Sequence, residues 1–141
     1  MFLEQRELGE DLRRLFEWLE EGRGGPLAEC VPPLDVFDTA DTVEIIVDLP
    51  GVPADVIRVA WSRGVVVIAG HKAPGGCSEH RDAAFHLAER GFGRFARVIR
   101  LSGALDAGRA QATLSHGELH IVFPRIAERR GGEIAVPVRV E

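Results

Sequence analysis

Apolar positions change their period along the chain. Between Leu3 and Glu21 they recur at Leu8, Leu12, Leu15 and Leu19, spacings of four, three and four that fall on one helical face. Phe16 widens this stripe and Trp18 lies off its centre. Glu4, Glu7, Glu10 and Asp11 occupy the first half, where the positive end of a helix dipole favours acidic groups. Gly22, Gly24, Gly25 and Pro26 then end the helix. A lone helix of this length is marginal in water, so its stripe must pack on something. Cover for its own domain is one reading; self-association or contact with another polypeptide is the other. The tether-like stretch 22–33 favours the second.

From Leu34 to Arg125 the period falls to two, the signature of strands. Val43, Ile45, Val47 and Leu49 alternate with Glu44, Ile46 and Asp48, and Pro50-Gly51 breaks the run. Ile57, Val59 and Trp61 alternate next, and Ser62-Arg63-Gly64 turns the chain into the apolar run Val65–Ala69. That hairpin is tight and apolar enough for a central position. Residues 70–84 are polar and contain Pro74, Gly75 and Gly76, which predicts a long loop with room for one short strand. Phe95, Arg97, Ile99 and Leu101 alternate with Ala96 and Val98. Residues 110–114 and 119–123 form a last hairpin around Ser115-His116-Gly117-Glu118, with Gly117 at the positive-φ position. Short strands with Gly-rich turns and no long helix between them predict a sandwich or a barrel, and no closing register favours a barrel.

After the polar bend 128–132, Ile134, Val136, Val138 and Val140 alternate once more, with Pro137 in their midst. Pro lacks a backbone donor, so this strand belongs at a sheet edge. It can be the last edge strand of its own sheet, or it can add to the sheet of a neighbouring subunit. Gly131-Gly132 gives the slack that the second option needs.

Composition narrows the picture further. The chain has 141 residues, 45% of them apolar, enough for one core and too few for two. A net charge of −5 argues against nucleic acid and anionic membranes as partners. Cys30 and Cys77 stand far apart and form no CxxC or metal-spaced cluster, which suits a reducing compartment. No signal peptide or apolar span of membrane length is visible, so a cytoplasmic location is expected.

The search for chemistry comes back empty. His71, His80, His86, His116 and His120 have neither an HExxH context nor zinc-knuckle spacing. The serines sit in no GxSxG elbow, and the glycine clusters open no phosphate loop. No catalytic residue, metal ligand, cofactor or nucleotide is expected. Apolar material at both ends of a compact β domain points instead to a protein that binds polypeptides.

Several segments then resemble one family. Pro33-Leu34-Asp35-Val36-Phe37-Asp38, followed by Leu49-Pro50-Gly51-Val52, is similar to the opening of the α-crystallin domain of small heat shock proteins (Hsp20), of the bacterial type. Glu89-Arg90-Gly91-Phe92-Gly93-Arg94-Phe95-Ala96-Arg97 resembles the family's E-R-x-x-G-x-F-x-R segment. Ala112-Thr113-Leu114-Ser115-His116-Gly117-Glu118-Leu119 resembles its A-x-x-x-n-G-x-L motif, with Pro124-Arg125 after it. The departures are Leu101-Ser102 where Leu-Pro is usual, a short Leu-rich arm, and His116 at an asparagine-like turn position.

The resemblance implies an all-β, immunoglobulin-like antiparallel β-sandwich at 33–125. A helical arm and linker at 1–32 would precede it, and a C-terminal extension at 126–141 would follow. It also implies an ATP-independent holdase that keeps unfolding client proteins from aggregating. The alternative is a non-catalytic co-chaperone, adaptor or structural self-assembling sandwich. Client contact would fall to Leu8, Leu12, Leu15, Phe16 and Leu19. A homodimer would form by exchange of a loop strand, with Phe85, Leu87 and Arg97 at the interface, and would assemble into larger homo-oligomers. Ile134, Val136 and Val138 would supply the C-terminal anchor, in the register Val136-Pro137-Val138 or Ile134-Ala135-Val136. The groove accepting it would be lined by Val65, Val67, Leu119, Ile121 and Phe123.

Overall fold

The computed structural model describes residues 29–74, 83–126 and 134–141. Within them the period-two runs become strands: β1 (Leu34–Asp38), β2 (Thr42–Asp48), β3 (Ile57–Ser62), β4 (Val65–Lys72), β5 (Gly93–Arg100), β6 (Gln111–Ser115) and β7 (Glu118–Pro124). The tail adds β8 (Ile134–Val136) and β9 (Val138–Val140), split at Pro137. The expected helical arm lies outside the described residues, as does the middle of the long loop.

The strands form two sheets, one in the order β1-β2-β7-β6-β9 and one in the order β5-β4-β3-β8. Their inner faces carry the core: Val43, Ile45 and Val47 from β2 oppose Val59 and Trp61 from β3 and Val66 and Ile68 from β4. Trp61 and Phe123 meet with ring centroids 5.2 Å apart, tilted by 41°. Tilted contacts of this kind suit the aromatic quadrupole. Each pairing is antiparallel except that of β6 with β9, which is parallel. The sandwich read from the sequence is therefore present, with one parallel ladder that the expectation of an antiparallel fold did not include.

Two turns carry most of the local instruction. His116 (φ 51°) and Gly117 (φ 77°) join β6 to β7 with both central residues left-handed, the geometry of a two-residue hairpin. Arg63 and Gly64 do the same between β3 and β4. The turns fix the register of both hairpins and so decide which side chains face the core.

Candidate functional site: the tail groove and the open edges

β3 would be the outer strand of its sheet and β6 that of the other, were the tail absent. The tail closes both. β8 pairs antiparallel with β3, setting Val136 opposite Val59, Ala135 opposite Ala60 and Ile134 opposite Trp61. β9 pairs in parallel with β6, setting Val138 opposite Ala112 and Val140 opposite Leu114. The Glu141 amide donates to the Leu114 carbonyl at 3.3 Å.

Pro137 sits where the chain leaves one sheet for the other. A residue that cannot donate is harmless there, and its fixed φ favours the extended crossing. Val136 is 5% exposed and joins the core, while Val138 packs against it from the second sheet. Val140 is 71% exposed, so burial fades towards the end of the tail. Full burial of a valine stabilises by about 1.5–3 kcal/mol, so Val136 is an apolar anchor of the tail. Side chains of both sheets meet the tail, so the groove is a seam between the two layers.

The residues expected to line the groove stand elsewhere. β4 and β7 are interior strands of their sheets. Leu119, Ile121 and Phe123 are wholly buried in the core, and Val67 is likewise 0% exposed. The edges that take up the tail are β3 and β6, one strand further out. A signal was present: Val65-Val66-Val67-Ile68 is apolar at every position, which marks a strand covered on both faces. Such a strand has neighbours on either side and offers no edge. Strand order itself is a long-range property that periodicity does not carry.

On the opposite side of the sandwich, β1 and β5 are the outer strands. Val36 and Phe37 on β1 are 42% and 40% exposed. The linker residues Glu29 and Cys30 both donate their amides to the Arg94 carbonyl on β5, at 2.7 and 3.2 Å. Arg97, expected at a dimer contact, donates from Nη1 to the Pro32 carbonyl at 2.7 Å. By register it lies on the inner side of β5, opposite Ile68, and so reaches across the open side of the sandwich to the linker. Phe85 and Leu87 lie in a stretch without regular structure, on either side of a bend at His86, and are 66% and 75% exposed. Leu8, Leu12, Leu15, Phe16 and Leu19 lie outside the described residues.

Polar chemistry is sparse. His120 donates from Nε2 to Glu44 at 2.6 Å on the outer face of the larger sheet, and Thr42 donates its hydroxyl to the same carboxylate at 2.7 Å. These bonds, Thr42 first and His120 second, hold the Glu44 carboxyl below its ordinary value. Burial pushes the Cys30 thiol up, the reverse of what a reactive cysteine needs. Among the described residues no group of three or more His, Cys, Asp or Glu could hold a metal ion. Nor is any described helix long and apolar enough to cross a membrane.

The architecture is thus a two-sheet sandwich with its own tail laid along the seam. The model of the Hsp20/alpha crystallin family matches residues 35–139, and the chain belongs to that family. "Heat shock protein 16" of the fission yeast Schizosaccharomyces pombe is 33% identical over 98 residues, 70% of this chain and 68% of the yeast protein. The solved structure of heat shock protein 16.0 from the same yeast is 31% identical with a TM-score of 0.65, covering 77% of this chain and 99% of that one. A small heat-shock protein from the bacterium Xylella fastidiosa is 30% identical with a TM-score of 0.64, covering 76% and 96%. Homologues thus come from both bacteria and eukaryotes. The matched regions span 57–68% of the length of the first curated relatives. Family membership supports a chaperone-like holdase role and homo-oligomerisation in general terms.

Proposed function

We propose that this chain is an ATP-independent holdase whose tail and arm shield its binding surfaces at rest. The observation that supports this most directly is the seam between β3 and β6, which accepts an extended alternating strand by backbone pairing on both sides. Such a seam recognises spacing and apolarity more than sequence, because backbone groups supply much of the contact. That is the recognition a protein needs in order to hold many unfolding chains. The assembled form is a homodimer that exchanges the segment around Phe85 and Leu87. The open edge of β1 suits that segment, because it offers unpaired backbone groups and the exposed Val36 and Phe37.

In larger oligomers the tail leaves its own seam and enters that of a second copy. The pairing is the same in both cases, so only the linker 126–133 has to re-route. Warming shifts the population towards undocked tails and arms, with no nucleotide required. Client contact falls to Leu8, Leu12, Leu15, Phe16 and Leu19.

Light scattering of a heat-denaturing client, without ATP, tests the reading. Suppression at near-stoichiometric ratios is the expected result, and it should weaken when residues 1–22 are deleted. No suppression while the sandwich remains folded would sink the holdase and leave a co-chaperone or structural assembly.

A further inference from the structure

The outer face of the smaller sheet is built as a platform. By register, Ala135, Ala60, Val67 and Val98 form one row across β8, β3, β4 and β5, with Ala69 and Ala96 in the next. Alternation along each strand turns these side chains away from the core formed by Val59, Trp61, Val66 and Ile68. The middle of the platform is therefore apolar and shallow. Its rim is cationic: Arg58, Arg94 and Arg100 face the same way, as does His71. The three strands β3, β4 and β5 place no carboxylate on this face.

Two further facts bear on what lies there. Val67 and Ala60 are 0% and 1% exposed, yet neither belongs to the interior cluster, and their cross-strand neighbours are only alanine and valine. Side chains that small do not shield a sheet centre by themselves. The chain also joins the domain at the edge of this face. Glu29 binds Arg94 twice, backbone amide to carbonyl at 2.7 Å and Arg94 Nε to the Glu29 carboxylate at 3.1 Å.

We propose that residues 1–28 dock on this face of their own chain at rest, laying Leu8, Leu12, Leu15 and Leu19 along the Ala135–Ala60–Val67–Val98 row. The charges match, because Glu4, Glu7, Glu10, Asp11, Glu17, Glu20 and Glu21 outnumber Arg6, Arg13, Arg14 and Arg23. The dimensions match as well. A helical Leu8–Leu19 stripe is about 16 Å long at 1.5 Å per residue, and three interstrand spacings of about 4.8 Å make about 14 Å. Ten residue steps lead from Leu19 to Glu29, and an extended chain of that length reaches roughly 33 Å, ample for the return. The Arg100 side chain has no ion pair or hydrogen bond with any described residue and so has charge to spare for the arm. This deepens the holdase reading by naming the site that hides the client-binding stripe.

Trypsin cleavage of the full chain at Arg13 and Arg14, followed by mass spectrometry, reads docking without a client. Val98 is 42% exposed, so Val98→Glu leaves the sandwich folded while setting a like charge under the acidic arm. The docked arm predicts about tenfold faster cleavage in Val98→Glu and a smaller, roughly threefold rise in Arg100→Glu, at unchanged melting temperature. Val98→Leu should keep the arm protected. Unchanged cleavage in both charged variants would overturn the proposal, and so would arm protection that vanishes on dilution, since the covering face would then belong to a second copy. Release of the arm by Val98→Glu in a protein that protects no client would support the docking and count against the holdase reading alone.

Discussion

On one side of the sandwich the edges β3 and β6 are covered by the chain's own β8 and β9, whereas on the other side, among the described residues, β5 meets the linker 29–33 and β1 has no further strand beside it. At the covered side backbone pairing continues outward on both sheets, and Val136 sinks to 5% exposure. At the open side the linker contributes a few separate bonds, to the Arg94 carbonyl and from Arg97, while Val36 and Phe37 stay about 40% exposed. An uncovered strand edge is a template for another strand. What closes such an edge is an alternating apolar segment with slack before it, and of the two neighbouring segments only the tail has that pattern. The linker, with Pro32 and Pro33, has too few donors to form a ladder. The asymmetry is between a side closed by the chain's own tail and a side where, among the described residues, no strand continues either sheet.

The strongest way to break this contrast is Val136→Asp. The substitution removes the buried anchor and puts a carboxylate in the seam, so tail docking should weaken by about 3 kcal/mol. Hydrogen exchange along β8 and β9 should accelerate by two orders of magnitude or more while β2 and β7 keep their protection. Equal loss of protection in β2 would mean that the tail is an integral part of the core and not a closure.

On the open side, Phe85→Asp with Leu87→Asp should leave the unfolding midpoint of the isolated domain unchanged, because both side chains are already exposed. Sedimentation should show a dimer weakened about a hundredfold if this stretch is exchanged, equivalent to about 2.7 kcal/mol. An unaltered dimer constant would remove the segment from the interface.

Arg97→Ala sharpens the comparison by cutting the side-chain bond that ties the linker to β5. Loss of a charged donor to a carbonyl should cost about 1.5 kcal/mol in urea unfolding. A much larger fall in dimer stability than in chain stability would show that Arg97 serves a partner as well as Pro32.

The smallest effect lies on the outer face of the larger sheet, remote from both sides. The Glu44 carboxyl is held below its ordinary value of 4.5 by Thr42 and His120. Its contribution is therefore present above the unfolded carboxylate value and disappears as pH falls through the folded one. Glu44→Gln should flatten the decline in urea midpoint between pH 5 and pH 3, by about 0.5 kcal/mol for a partly exposed pair. An identical decline in wild type and variant would assign the acid sensitivity to other carboxylates.

The strands of the core were legible because each writes its own period. Val43 to Leu49 and Ile57 to Trp61 alternate cleanly, and the Gly117 turn needs a residue that accepts positive φ. The tail was legible as an edge strand because Pro137 excludes a central place. Its partners were not. The groove expected from the family resemblance fell on β4 and β7, which are flanked by other strands on both sides. Arg97 likewise showed itself as a strand arginine, but its bond to Pro32 joins residues 65 positions apart.

Local chemistry thus determined the element types of the described strands, the turn geometry and the presence of two apolar ends. These depend on neighbours a few residues away, and such information is written in order along the chain. Which strands became edges, that the tail splits at Pro137 to close two sheets at once, and that the smaller sheet turns an apolar, cation-rimmed face outward were decided only by the tertiary structure. Each depends on the order of strands across a sheet, and that order is set by the joint burial of side chains distant in sequence, which no local period records.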